Sequence, residues 1–131
     1  MGKDLKVLWS FDYMDEDTVC SHVDVLSNMT FRVQNYTSDI FKTAFGKISD
    51  RGINTLWDFF EDRCCPPTRV KIKEDVLDKL GLESYDPIAI ARYSHGVLTD
   101  DHQWIKFNSD DPNLCWDDVI RPLRESVIVI E

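Results

Sequence analysis

The stretch whose reading decides the fold is LKVLWSFDYMDEDTVCSHVDVLSNMTFRVQ, residues 5–34. Apolar and polar side chains alternate over residues 4–11, which places Leu5, Val7, Trp9 and Phe11 on one side of an extended chain. Asp12 to Asp17 then reads as an acidic turn. Val19 to Leu26 and Met29 to Gln34 read as hairpin arms joined at Ser27-Asn28, with Val23 and Val25 meeting Phe31 and Val33 on one buried face. Three such segments in succession predict an N-terminal antiparallel β-meander.

Beyond it the apolar period lengthens from two to between three and four. Ser38 or Asp39 caps a predicted short helix through Ile40, Phe41, Ala44 and Phe45, stopped by Gly46. A second helix runs from Asn54 or Thr55 through Leu56, Trp57, Phe59 and Phe60 to Cys64-Cys65, where Pro66-Pro67 ends it. A third starts at Thr68, carries Ile72, Val76, Leu77 and Leu80, and stops at Gly81. Asp86-Pro87 is an N-cap followed by a first-turn proline, so Ile88 to Tyr93 is a fourth, closed near Gly96. Gln103–Phe107 reads as a strand, Cys115–Ile120 as a helix and Val127–Ile130 as a last strand. The fold class is therefore α+β: the meander, several short helices and C-terminal strands. At 131 residues and 43% hydrophobic content, residues 1–131 are expected to form a single compact domain.

The formal charge is −9, and it is uneven. Residues 1–31 carry 2 − 6 = −4, residues 32–83 carry 9 − 9 = 0, and residues 84–131 carry 4 − 9 = −5. Such a balance opposes direct binding of nucleic acid or of an anionic membrane, since phosphate binding draws on clustered Lys and Arg. The acidic ends predict a protein partner with a basic surface, met by Asp12, Asp15, Glu16 and Asp17 and by Asp110, Asp111, Asp117 and Asp118. No apolar run is long enough to span a bilayer and the start lacks a signal peptide, so a cytoplasmic location and reduced cysteines are expected. The sequence leaves the oligomeric state open.

Catalytic and metal readings fail on spacing. There is no phosphate loop or nucleophile elbow, and the adjacent Ser94 and His95 point apart. Cys20 and His22 share a strand face, but Cys64, Cys65 and Cys115 do not supply the spaced pairs of a zinc site. No enzyme activity, metal or cofactor is predicted. Trp57, Phe59, Phe60, Trp104, Phe107 and Trp116 read as core rings. Arg63, Arg69, Lys71 and Lys73 form a basic island expected to pair locally with Glu61, Asp62, Glu74 and Asp75.

The segments LWDFFEDRCCPPTR, KLGL, SHGVLTDDHQWIKF and Trp116-Asp117-Asp118 resemble a pattern in short proteins of Firmicute mobile elements. That pattern is similar to the accessory module preceding the core of some HipA-like serine/threonine kinases. The matching positions are Arg63, Pro66, Arg69, Gly81, Gly96, Asp100 or Asp101, Trp104 and Trp116. The chain carries no kinase core, Gly-rich ATP loop, H-R-D or D-F-G element, so the resemblance implies the accessory module without kinase activity. It yields two expectations. One is a non-enzymatic mobile-element or phage protein that inhibits a host nucleic-acid-handling or defence protein through its acidic ends. The other is a regulatory partner or detached recognition module of such a kinase, acting through Arg63, Arg69, Gly96, Asp100 and Asp101.

Overall fold

The structure is a computed structural model describing residues 6–64, 71–98 and 101–121. Its strands are β1 (Val7–Asp15), β2 (Thr18–Leu26), β3 (Phe31–Asn35) and β4 (Gln103–Phe107), in the antiparallel order β3-β2-β1-β4. The helices are α1 (Ile53–Asp62), α2 (Asp78–Leu80) entered through a π-helical turn at Lys73–Leu77, α3 (Pro87–Ser94) and α4, helical over 116–121. The fold is α+β, with the predicted meander at its N-terminal end.

Alternation along the strands makes one sheet face apolar. Phe11, Tyr13, Val23, Val25, Phe31, Ile105 and Phe107 pack there against Leu56, Phe59 and Phe60 of α1 and Ala91 of α3. Rings dominate the contact: Phe11 stacks on Phe59 at 5.8 Å and meets Phe60 edge-on at 5.1 Å, an arrangement the aromatic quadrupole favours. A smaller cluster of Met14, Trp104 and Val119 fills the end of the other face beneath α4. Met14 reaches that face beside a register shift after Tyr13, where Cys20 is the extra residue of β2.

Several expectations change. The acidic turn shrinks to Glu16-Asp17, with Glu16 at φ 50, because Asp12 and Asp15 continue β1. Asp12 is tolerated because it points to the face an antiparallel sheet can leave in water, and Asp15, on the opposite face at the strand's end, is paired with Lys42. Residues 40–45 form turns in place of a helix: Asp39 accepts from Phe41 N and Ser21 Oγ accepts from Ala44 N, local bonds that compete with helical ones. Phe41 is consequently 87% exposed. The first full turn of α1 starts earlier than predicted, after Gly52, whose N–H is taken by Asp50. Trp57 is not a core ring. It is 36% exposed because Leu56, Phe59 and Phe60 occupy the buried side of α1, whereas Trp104 is fully buried. The predicted helix start at Thr68 and the strand Val127–Ile130 lie outside the described residues.

Candidate functional site

Arg63, just past the end of α1, is the residue on which the predicted kinase-module surface turns. It is only 6% exposed, and every part of its guanidinium is engaged. Nε donates to Gly96 O at 3.1 Å, Nη1 and Nη2 grip both oxygens of Asp101 at 2.9 and 3.2 Å, and Nη2 also donates to Gln103 O at 2.6 Å. Its expected local pairing with Glu61 and Asp62 gives way to this long-range clamp because a buried cation needs a full set of acceptors. Asp101 is partly buried, which alone would raise its carboxyl; bonds from Arg63 and from Gln103 N outweigh that and hold it below the usual range. Burial pushes the neighbouring Tyr13 phenol up to about 12, despite the guanidinium 5.5 Å from its ring.

Gly96 completes the clamp for a steric reason. Its φ is +64, and a Cβ there would sit 3.0 Å from Ile105 Cδ1 and 3.2 Å from Arg63 Cβ. The structure thus brings together Arg63, Gly96 and Asp101 of the predicted set. Arg69 and Asp100 lie outside the described residues.

The same region closes the outer edge of β4. Gln103 N donates to Asp101 and Gln103 O accepts from Arg63. Ile105 N donates to His95 O at 2.7 Å, and Ile105 O meets His95 Nδ1 at 3.2 Å. Phe107 N donates to the Asp110 carboxylate at 2.7 Å, and Phe107 O accepts from Asp110 N at 2.9 Å. Ser94 and His95 therefore serve as a helix end: His95 is the left-handed C-cap of α3, whose ring faces the strand.

The acidic residues of the two ends meet in space. Asp17 accepts from Trp116 N at 2.8 Å and so caps α4, while Asp118 accepts from Cys115 N at 3.2 Å, the return arm of a capping box. Bonds from the Cys115 thiol and backbone hold the Asp118 carboxyl below its usual range. Glu16 pairs with His102, Asp117 with Arg121 and Asp15 with Lys42. Asp111 accepts from Asn113 N. Asp12 and Asp110 belong elsewhere: both line an open cleft of about 220 Å³ with Ser10, His22, Lys106 and Asn108. Each predicted acid thus has a partner within the chain.

A constellation the sequence reading missed stands beside that cleft. His22 lies between Asp12, 2.6 Å from Nδ1, and Asp24, 2.9 Å from Nε2, and Asp24 also accepts from Arg32. Donating through both ring nitrogens requires the imidazolium. Partial burial opposes that charge, but hydrogen bonds to the two carboxylates prevail and raise the His22 pKa above its ordinary 6.5. With both nitrogens committed, the ring offers no lone pair to a metal or a substrate, so its chemistry is that of a cross-strand bridge. The His-x-Asp spacing on one strand face is the available signal; the cross-strand Asp12 is hidden because Asp12 to Asp17 reads as a turn. Among the described residues, no group of His, Cys, Asp and Glu side chains is arranged to hold a metal ion. None of their helices is long and apolar enough to cross a membrane. No protein-family model, curated protein or solved structure matches this chain.

Proposed function

We propose that this chain is a non-enzymatic, cytoplasmic protein-binding module, a mobile-element or phage product that inhibits a host protein whose nucleic-acid-binding or defence surface is basic. The observation that carries the reading is the convergence of the acidic ends: Asp17 caps α4, which brings Glu16 and Asp17 of the first turn beside Asp117 and Asp118 from nearly a hundred residues away. The chain's charge of −9 adds long-range attraction for a cationic groove. Glu16 and Asp117 are the residues to test, because their partners His102 and Arg121 are surface pairs and a competing cation can displace them. Asp17, Asp110 and Asp118 also hold backbone groups, so their loss would confound binding with folding.

The test is capture of a partner from the host lysate at low salt, followed by titration of the purified partner with Glu16→Gln/Asp117→Asn. A weakening on the order of fivefold, with a shallower salt dependence, is expected from two exposed charge contacts. Unchanged affinity and salt slope would remove this surface from the function.

A further inference from the structure

A different surface carries a more specific assignment. Segment 44–48 lies along α1 and leaves a groove of about 160 Å³ lined by Ala44, Phe45, Ile48, Thr55, Asp58, Phe59 and Asp62. Its floor is apolar, with Phe45 and Phe59 nearly buried, and Ile48 stands at its lip 54% exposed. The α1 contribution follows the spacing i, i+3, i+4, i+7, one stripe of a helix. The volume suits one large aliphatic side chain and falls below that of small-molecule sites.

The rim is electrostatically unsettled. Unlike the acids of the chain ends, the carboxylates of Asp58 and Asp62 make no hydrogen bond or ion pair with any described residue, and both residues are exposed. They sit four residues apart on one helix, where like charges repel. They also occupy the C-terminal half of α1, where the helix dipole disfavours carboxylates, and the last turn has no basic residue to offset them. A cation seated between them would relieve both strains, and an apolar side chain beside it would pack against Ile48 at the lip and the outer edges of Phe45 and Phe59.

We propose that the groove between α1 and residues 44–48 receives one apolar side chain of a protein partner whose flanking residues are Lys or Arg. This rests on the binding-module reading and names a second docking point, apart from the acidic ends. Its partner chemistry is a short basic-apolar segment, with charge complementarity supplied by Asp58 and Asp62.

The experiment uses the full chain and three capped peptides: Lys-Lys-Leu-Lys-Lys, its Leu→Ser form and its Lys→Glu form. Amide chemical shifts are followed by heteronuclear NMR through the titration. The first peptide is expected to shift Ala44, Ile48, Thr55, Asp58, Phe59 and Asp62, and the other two to leave them in place. Asp58→Asn/Asp62→Asn should weaken the first peptide on the order of fivefold while melting no lower than the parent, because removing the repulsion does not destabilise α1. Groove shifts from the Ser peptide equal to those from the Leu peptide, unchanged affinity of the double variant, or no groove shifts at millimolar peptide would each overturn the assignment. Shifts centred on Glu16 and Asp117 would also overturn it while leaving the acidic-end reading standing. Groove shifts and an affinity that both persist in Glu16→Gln/Asp117→Asn would place the peptide in the groove independently of the acidic ends and support the proposal.

Discussion

The two edges of the sheet are finished in opposite ways. On β4 the outward groups of Gln103, Ile105 and Phe107 are all taken, by Asp101 and Arg63, by His95 and by Asp110 respectively. On β3 the odd residues face outward, since Leu26 N reaches Thr30 O and Tyr36 N reaches Cys20 O on the β2 side. Phe31 N finds Arg51 O, but the backbone of Val33 and Asn35 has no partner among the described residues. An open edge invites pairing with another chain, and β3 limits that hazard by being only five residues long and carrying Arg32. One edge is thus covered by residues gathered from α1, α3 and two loops; the other relies on brevity and charge.

The largest expected effect lies in the cover of β4. Arg63→Ala would strand Gly96 O, Gln103 O and the Asp101 carboxylate in a partly dry site. Removing one member of a buried, hydrogen-bonded pair typically costs about 3–5 kcal/mol. Arg32, on the open edge, makes one exposed contact to Asp24 at 3.3 Å, so Arg32→Ala should stay within about 0.5 kcal/mol. Urea denaturation of the two variants measures the contrast. Equal losses would erase it and make Arg63 a surface charge.

Hydrogen exchange sharpens the same contrast without mutation. The Ile105 amide is held by His95 O beneath α3, and its exchange should require opening of that whole unit. The Val33 amide should exchange close to the rate of an unstructured peptide, on the order of a thousandfold or more faster than Ile105. Protection of Val33 that grows with protein concentration would show instead that two copies pair through β3.

How much of this was legible depends on whether the cause was local. The meander was legible because Val23, Val25, Phe31 and Val33 repeat at the strand period and Ser27-Asn28 marks a turn. Helix α3 was legible because Asp86 accepts from both Ile88 N and Ala89 N, and Pro87 sits where no N–H is needed. The cover of β4 was not, since Arg63 and Asp101 lie 38 residues apart and nothing in either neighbourhood names the other. Trp57 was misplaced for a related reason. Five apolar or aromatic residues crowd into Ile53–Phe60, and only the position of the sheet decides which of them turn inward. The groove under α1 had a readable half, the stripe Thr55, Asp58, Phe59 and Asp62. Its other half depends on segment 44–48, reached through residues 40–45, where bonds from Phe41 N to Asp39 and from Ala44 N to Ser21 replace the predicted helix.

The smallest effect belongs to the solvent face between the edges, where His22 ties β1 to β2 through Asp12 and Asp24. The groups facing it are those two carboxylates, with Arg32 beyond Asp24 and Lys106 opposite Asp12 in the register. The folded state binds the imidazole proton more tightly than the unfolded chain, whose histidine titrates near 6.5. The bridge therefore contributes its full stability below that pH. The contribution fades as pH rises through the higher folded value and the ring loses one of its two donors. The bridge is about one-third exposed, so solvent screening keeps the gain modest. Melting temperatures from pH 5 to 9 should fall more steeply for the parent chain than for His22→Gln, with the two curves converging at high pH. Parallel curves across that range would mean that His22 carries no extra proton and that the two carboxylates are held apart by other means.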